Sequence, residues 1–283
     1  MKTYYMLTKP GIILGNIVTT AAGFVLASKG HVDFLLFVET LLGLAFVIAS
    51  AGVFNNYIDR AMDAKMERTK DRAFVKKSVP PRSALQFGTF LGMLGMGVLA
   101  MFTNPLTVFV AFLGFFVYLV LYAFLKYRSF YGTLVGSIAG AVPPVVGYCA
   151  VSNRFDTGAF LLFLILVLWQ MPHFYAIAIY RIKDYAAASI PVLPIAKGID
   201  VTKREMVLYI VAFTVTTLLL TLTGYTGYFY LGSALLLGGT WLGLCLKGFK
   251  QSNDTLWAKN MFVYSLVVIM ALCVTMAFDG TIQ

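Results

Sequence analysis

The chain has 283 residues, of which 60% are hydrophobic and 12% charged, with a formal net charge of +10 and a mean hydropathy of +0.83. Soluble domains carry about 25% charged residues, and half that density cannot cover a globule of this size with polar side chains. A water-soluble enzyme, a disordered chain and a disulfide-stapled secreted domain are therefore excluded, and the solvent left for this surface is lipid.

A bilayer core of about 30 Å needs about 20 apolar residues per helix. Nine segments of that size succeed one another: 11–28, 34–54, 84–102, 105–125, 132–151, 159–180, 205–224, 227–246 and 261–278. In lipid the backbone must satisfy its own hydrogen bonds, so these spans are helices. The expectation is an all-α polytopic membrane protein with nine transmembrane helices, one domain over 1–283. Pro143-Pro144, Pro172, Gly136 and Gly140 inside the spans predict close packing or a bend.

Charge placement sets the topology. With nine spans, all but two of the 22 Lys and Arg residues fall on one side, the exceptions being Lys29 and Arg154. The positive-inside rule puts that side, with the N-terminus, in the cytoplasm and the C-terminus outside. One span more or fewer would swap the later loops and destroy the asymmetry. The basic residues lie in short juxtamembrane loops without a nucleic-acid motif, so the expected attraction is to anionic lipid and anionic substrates. Lys2 and Lys9 before an apolar run ending in VLAS (25–28) also fit a signal peptide, but removing that span would break the topology. There is no Arg/Ser-rich transit peptide, which points to a bacterial plasma membrane. Cys149, Cys245 and Cys273 all lie in spans, without CxxC spacing, and read as small buried apolar residues.

The most informative stretch is NNYIDRAMDAKMERTKDR at 55–72. Asn55, Asp59, Asp63, Glu67 and Asp71 recur every four residues, about 400° of helix turn, and so form one oxygen-rich stripe. Arg60, Arg68 and Arg72 lie on a neighbouring stripe. A solvated helix with i,i+4 ion pairs fits the spacing equally well. Two features favour chemistry. The stripe starts where an apolar span ends, and it starts with an amide and two carboxylates. Such oxygens suit Mg²⁺, which takes one or two carboxylates together with substrate phosphates and waters. With a divalent ion between, the same face attracts a diphosphate instead of repelling it.

Two further polar clusters fall on the same side. WQMPHFYAIAIYRIKD at 169–184 offers His173, Tyr175, Tyr180, Arg181, Lys183 and Asp184, and Lys126 and Arg128 come after the fourth span. Both basic sets also fit plain membrane anchoring. His173 is open between a hydrogen-bonded packing residue, a metal or haem-iron ligand, and an acid/base group.

TKPGIILGN at 8–16, the 55–72 segment, YGTLVGSIAGAVPPVVGY at 131–148 and WQMPHFYAIAIYRIKDYAAASIPVLP at 169–194 together resemble the UbiA-type intramembrane prenyltransferases, most closely the branch that farnesylates haem. The resemblance implies nine helices around a central cavity capped by cytoplasmic loops. It also implies farnesyl diphosphate as donor, haem B as acceptor and Mg²⁺ as cofactor, and, as partners, haem-pathway enzymes or a terminal oxidase. Asn55, Asp59 and Asp63 match the family's first motif, with Asn56 where many members have Asp. They take the catalytic, metal-holding role. In the second motif Tyr180 replaces the first acid and leaves Asp184 as the one candidate ligand. Lys126 matches the Lys of a Lys-Arg pair, but Tyr127 stands in the Arg place and Arg128 comes next. Arg68, Lys126, Arg128, Arg181 and Lys183 are thus the expected diphosphate-binding residues, and His173 the expected haem contact. The rival readings are another aromatic or quinone-precursor acceptor and, from a different class, a secondary transporter. Against the latter, the charges gather at one membrane face and not at the midplane.

Overall fold

Local chemistry starts and stops the helices. Pro10, Pro81 and Pro105 open three of them, where proline's missing N–H costs nothing. Side chains cap others. Asp33 accepts from the amides of Leu35 and Leu36 at 3.0 and 3.1 Å, and Asp156 accepts from those of Gly158 and Ala159 at 2.9 and 3.2 Å, filling donors that have no partner within the helix.

The computed structural model describes residues 2–280. Among the described residues, nine segments are long and apolar enough to cross a membrane: α1 Pro10–Ser28, α2 Phe34–Asp63, α3 Pro81–Phe102, α4 Pro105–Leu125, α5 Gly132–Ser152, α6 Thr157–Tyr180, α7 Ile199–Leu222, α8 Tyr228–Lys250 and α9 Asp254–Asp279. They correspond one to one with the expected spans. Several extend past the expected apolar runs, because polar turns at their ends stay helical. At the start of α9, for example, Asp254 pairs with Lys203 of α7 at 2.6 Å.

The bundle is built around α6, of whose most apolar stretch 67% is buried, against 17% for α4. Helices α7 and α9 pack on α6, α9 packs on α1, α1 packs on α5, and α2 pairs with α3. The α1–α5 crossing is backbone-close. A Cβ at Gly23 would stand 2.1 Å from the Pro144 carbonyl oxygen, and one at Gly147 2.1 Å from that of Thr20. Small residues permit such approaches in membranes.

Proline acts differently in its two settings. In α5 the helix breaks at Ala141, between Gly132–Gly140 and Val142–Ser152, as the Pro143-Pro144 pair predicts. In α6 it runs on through Pro172. Helix α4 holds a π-helical stretch, Val117–Tyr122, which the sequence did not signal. Such wide turns shift the register of the helix beyond them and are frequent at functional sites.

The 55–72 segment departs from the expected continuous stripe. Helix α2 ends at Asp63, and Ala64 caps it. The Thr69 hydroxyl then donates to the Asp63 carbonyl at 2.9 Å, closing the chain back on the helix end. Glu67 and Asp71 swing outward and pair with Lys70 and Lys76 at 2.5 and 2.6 Å. For these two acids the solvated ion-pair reading is the right one, and water screens both pairs.

Two loop regions meet over the end of α2. Met66, Ala188 and Ile190 form a small buried cluster, with Met62, Tyr127, Tyr185 and Val192 packed around it. This ties the segment after α2 to the one after α6, which contains short helices at Ile182–Ala187 and Leu193–Ala196.

Candidate active site

Asn55, Asp59 and Asp63 lie on one face of the last turns of α2, 3%, 3% and 1% exposed. Buried charges need partners, and each of the three polar side chains has a basic one. The Lys9 ammonium donates to Asn55 Oδ1. Lys126 Nζ lies 2.6 Å from Asp59 Oδ2, while the Tyr127 hydroxyl donates to Asp59 Oδ1. Arg72 Nη1 lies 2.7 Å from Asp63 Oδ2.

The local sequence explains how Lys9 arrives. A Cβ at Gly52 would be 2.7 Å from the Thr8 carbonyl oxygen, so glycine alone leaves room for this crossing. One turn later, Asn56 Nδ2 donates to the Leu7 carbonyl at 2.8 Å. The chain is thus clasped to α2, and Lys9 takes a left-handed backbone, φ 57°, just before α1. Asn56 is therefore a clasp, which its motif position did not reveal.

Electrostatics divides the basic groups. Burial, and next the charge of Arg72, pull Lys9 down to about 7. Burial also works against the charge of Lys126, but Tyr122 and Asp59 outweigh it and hold its pKa above the usual lysine range. The Lys126 ammonium lies 5.5 and 5.3 Å from the ring centroids of Tyr122 and Tyr127, close enough for cation–π attraction. Burial raises the Tyr127 hydroxyl above its ordinary value, with Asp59 adding to the rise. It therefore stays a donor at neutral pH.

The remaining expected residues divide. Arg128 is exposed, its guanidinium 3.8 Å over the Phe124 ring, and it is not brought to the carboxylates. Arg181 lies over Tyr180 at 4.4 Å. Arg68 and Lys183 are exposed and Asp184 is half-buried. Tyr185 links these loops to the site: burial raises its hydroxyl, and Tyr122, Arg68 and Lys126 all act on it. His173 sits apart, between α6 and α9. Its Nδ1 is 2.7 Å from Ser265 Oγ, and its ring stacks on Trp169 at 4.7 Å. Trp169 Nε1 donates to the Ser265 carbonyl at 2.8 Å, which fixes the same pair of helices.

Lys9, Arg72 and Tyr127 are the site residues that sequence reasoning missed. Lys9 counts there as an ordinary anchoring charge, Arg72 only as one of three arginines on the stripe beside the carboxylates, and Tyr127 as a gap in a motif. The nearest available signal was the Thr69–Arg72 spacing after a helix end, which does not by itself specify a return.

Among the described residues, no three His, Cys, Asp or Glu side chains gather as a metal-holding group. Asp184 does not complete a set with Asp59 and Asp63. Two carboxylates and an amide oxygen still fit Mg²⁺, which readily takes its other ligands from phosphate and water. The donor set thus fits a metal shared with a diphosphate, not one caged by protein alone. Beside the site an apolar cleft of about 610 Å³ runs between the N-terminal helix Lys2–Leu7, α1, α2 and α3, with Tyr4, Thr8, Phe46 and Phe87 in its walls.

Comparison with known proteins extends the likeness across the chain. The sequence model of the UbiA prenyltransferase family matches residues 16–267. Protoheme IX farnesyltransferase of Sodalis glossinidius (strain morsitans) is 53% identical over 281 residues, 99% of this chain and 95% of that one. A solved structure of digeranylgeranylglyceryl phosphate synthase superposes with TM-score 0.82 at 17% identity, covering 100% of this chain and 99% of that one. A UbiA homologue from Archaeoglobus fulgidus bound to GPP and Mg²⁺ gives TM-score 0.71 at 13% identity, covering 98% and 99%. The two structures establish the likeness of fold.

Proposed function

The chain belongs to the UbiA prenyltransferase family, and we propose that it transfers a farnesyl group from farnesyl diphosphate to a vinyl group of haem B, with addition of water, giving haem O. The observation that carries the prenyl-transfer half is the buried Asn55–Asp59–Asp63 face with Lys9, Lys126 and Arg72 laid against it. The choice of haem as acceptor rests on 53% identity over nearly the whole chain to a protoheme IX farnesyltransferase.

In this reading Asn55, Asp59 and Asp63 would hold Mg²⁺, which would supply positive charge to stabilise the diphosphate as it leaves. Lys126 and Arg72 offset the remaining diphosphate charge, with Arg68, Arg181 and Lys183 on the loops above as further contacts. The allylic C–O bond then breaks, diphosphate leaves, and the haem vinyl group attacks the allylic cation. Water adds its oxygen to the cation formed on the vinyl carbon and loses a proton. The Met66–Ala188–Ile190 cluster, with Tyr127 and Tyr185, keeps bulk water from the ionising bond. His173 orients the acceptor by ligating its iron, with Nδ1 held by Ser265 so that Nε2 is the ligating atom. The farnesyl tail, being apolar, lies among the membrane helices.

In the same reading the whole chain is one integral-membrane unit in a bacterial plasma membrane. The N-terminus and the site face the cytoplasm and the C-terminus faces outside, as the loop charges favour. Haem-pathway enzymes and a terminal oxidase that takes the product are the partners it calls for.

Mass spectrometry of haem after incubating the purified protein with Mg²⁺, farnesyl diphosphate and haem B tests this. The expected product is haem B plus a farnesyl group and a hydroxyl. Unchanged haem, with prenylation of an added aromatic quinone precursor instead, would move the chain to another branch of its family.

A further inference from the structure

Each of the three side chains that would hold the proposed metal already has a basic partner on one of its oxygens. Lys9 occupies Asn55 Oδ1, Lys126 and Tyr127 occupy Asp59, and Arg72 occupies Asp63. Lys126 and Arg72 alone cancel the charge of both carboxylates. Among the described residues no third Asp or Glu joins the two. A divalent ion arriving by itself would have to push these bases off their oxygens and would leave them beside it with no new partner. In a buried setting that repulsion is large. A diphosphate changes the balance, because it brings several negative charges and many acceptor oxygens to which the same bases can turn.

We propose that Lys9 is a working residue of this site and that Lys9, Lys126 and Arg72 act as exchangeable stand-ins for the metal. They hold Asn55, Asp59 and Asp63 closed, and they move onto the diphosphate when it binds, so the metal enters with the diphosphate or after it. Lys9 is placed for this exchange by the Gly52 crossing and the Asn56 clasp, which bring a residue from before α1 onto α2. The inference rests on the metal reading of the preceding subsection and adds to it an order of binding and a role for Lys9.

The test is equilibrium binding on the full-length protein in detergent, with Mn²⁺ followed by electron paramagnetic resonance and pyrophosphate by isothermal titration calorimetry. Binding is measured with Mn²⁺ alone, with inorganic pyrophosphate alone, and with both. The wild type is expected to hold Mn²⁺ alone at least about tenfold more weakly than with pyrophosphate. Pyrophosphate supplies ligands of its own, so the variants carry the distinction. Lys9→Met and Lys126→Met should each tighten Mn²⁺ alone and weaken pyrophosphate alone, two changes of opposite sign that a purely structural lysine would not produce.

Equal wild-type affinity for Mn²⁺ with and without pyrophosphate overturns the inference. So does unchanged or weaker binding of Mn²⁺ alone in both folded variants. If either Met variant fails to fold, Lys9→Gln and Lys126→Gln, which keep a polar head without the charge, carry the same comparison. Absence of Mn²⁺ binding even with pyrophosphate removes the metal reading itself, an outcome distinct from the other two.

Discussion

Arg72 reaches back across nine positions to set Nη1 2.7 Å from Asp63 Oδ2, so the acid that ends α2 is neutralised by the loop that leaves it. The Thr69 hydroxyl on the Asp63 carbonyl makes this return possible. The acid is buried and the arginine side chain is 29% exposed. Removing the base therefore leaves a buried carboxylate short of a partner. Arg72→Ala should cost about 1–3 kcal/mol, toward the low end because water reaches part of the pair. It should also raise KM for farnesyl diphosphate more than it lowers kcat. A thermal melt in detergent and initial-rate kinetics measure the two effects. A variant with unchanged Tm and KM would reduce Arg72 to a surface charge.

Asp59→Asn and Asp63→Asn should each lower turnover by at least about a hundredfold, in line with the loss of a group that stabilises leaving charge. Each amide keeps the size of the side chain and can still accept from Lys126 or Arg72, so the helical content of the membrane fold should persist. Chelation of divalent ions should silence the wild type, and Mg²⁺ should restore it. Circular dichroism alongside the product assay separates lost chemistry from lost fold, and wild-type turnover in either variant would remove the metal role.

The spans were legible because lipid imposes one crude rule, a run of apolar residues about 20 long, and local capping adjusts only the ends. Asn55, Asp59 and Asp63 were legible for the same reason: polar groups at a span end stand out against it. Glu67 and Asp71 misled because a spacing of four is satisfied equally by a helix and by a loop, and only the Thr69 contact ends the helix at Asp63. Arg128 shows a limit of another kind: a base two residues past Lys126 reads as its companion, and spacing alone does not tell that the turn after α4 lays it over Phe124. Lys9 was invisible, since a single lysine before a span is the commonest kind of anchor, and its partner lies 46 positions away.

Gly52→Ala tests the clasp that delivers Lys9. The new Cβ would meet the Thr8 carbonyl oxygen at 2.7 Å, and backbone cannot yield as a flexible side-chain tip does. The N-terminal segment should lift from α2, withdrawing Lys9 from Asn55. Turnover should fall about tenfold or more, with little loss of helix, because the segment is peripheral to the core built around α6. Asn56→Ala should act the same way by releasing the Leu7 carbonyl. Limited proteolysis near residue 8 reads the release directly, and it should be faster in both variants. Wild-type cleavage together with lost activity would place the fault elsewhere.

His173 offers the sharpest choice between packing and chemistry. Its Nδ1 is committed to Ser265, and its ring stacks on Trp169 and meets Phe262 at a tilt. A ligand to haem iron needs Nε2 unprotonated, which this arrangement provides when Nδ1–H donates its hydrogen bond to Ser265 Oγ. The Ser265 hydroxyl itself lies 2.6 Å from the Phe262 carbonyl, so one proton placement leaves Ser265 as donor to the backbone and acceptor from the ring. His173→Ala should shift the Soret band of haem bound to the purified protein. Ser265→Ala should weaken haem binding severalfold with a smaller spectral change, because the ring loses its fixed tautomer but not its nitrogen. An identical spectrum in His173→Ala would return the residue to the aromatic packing between α6 and α9, and the acceptor would then have to be oriented by other side chains.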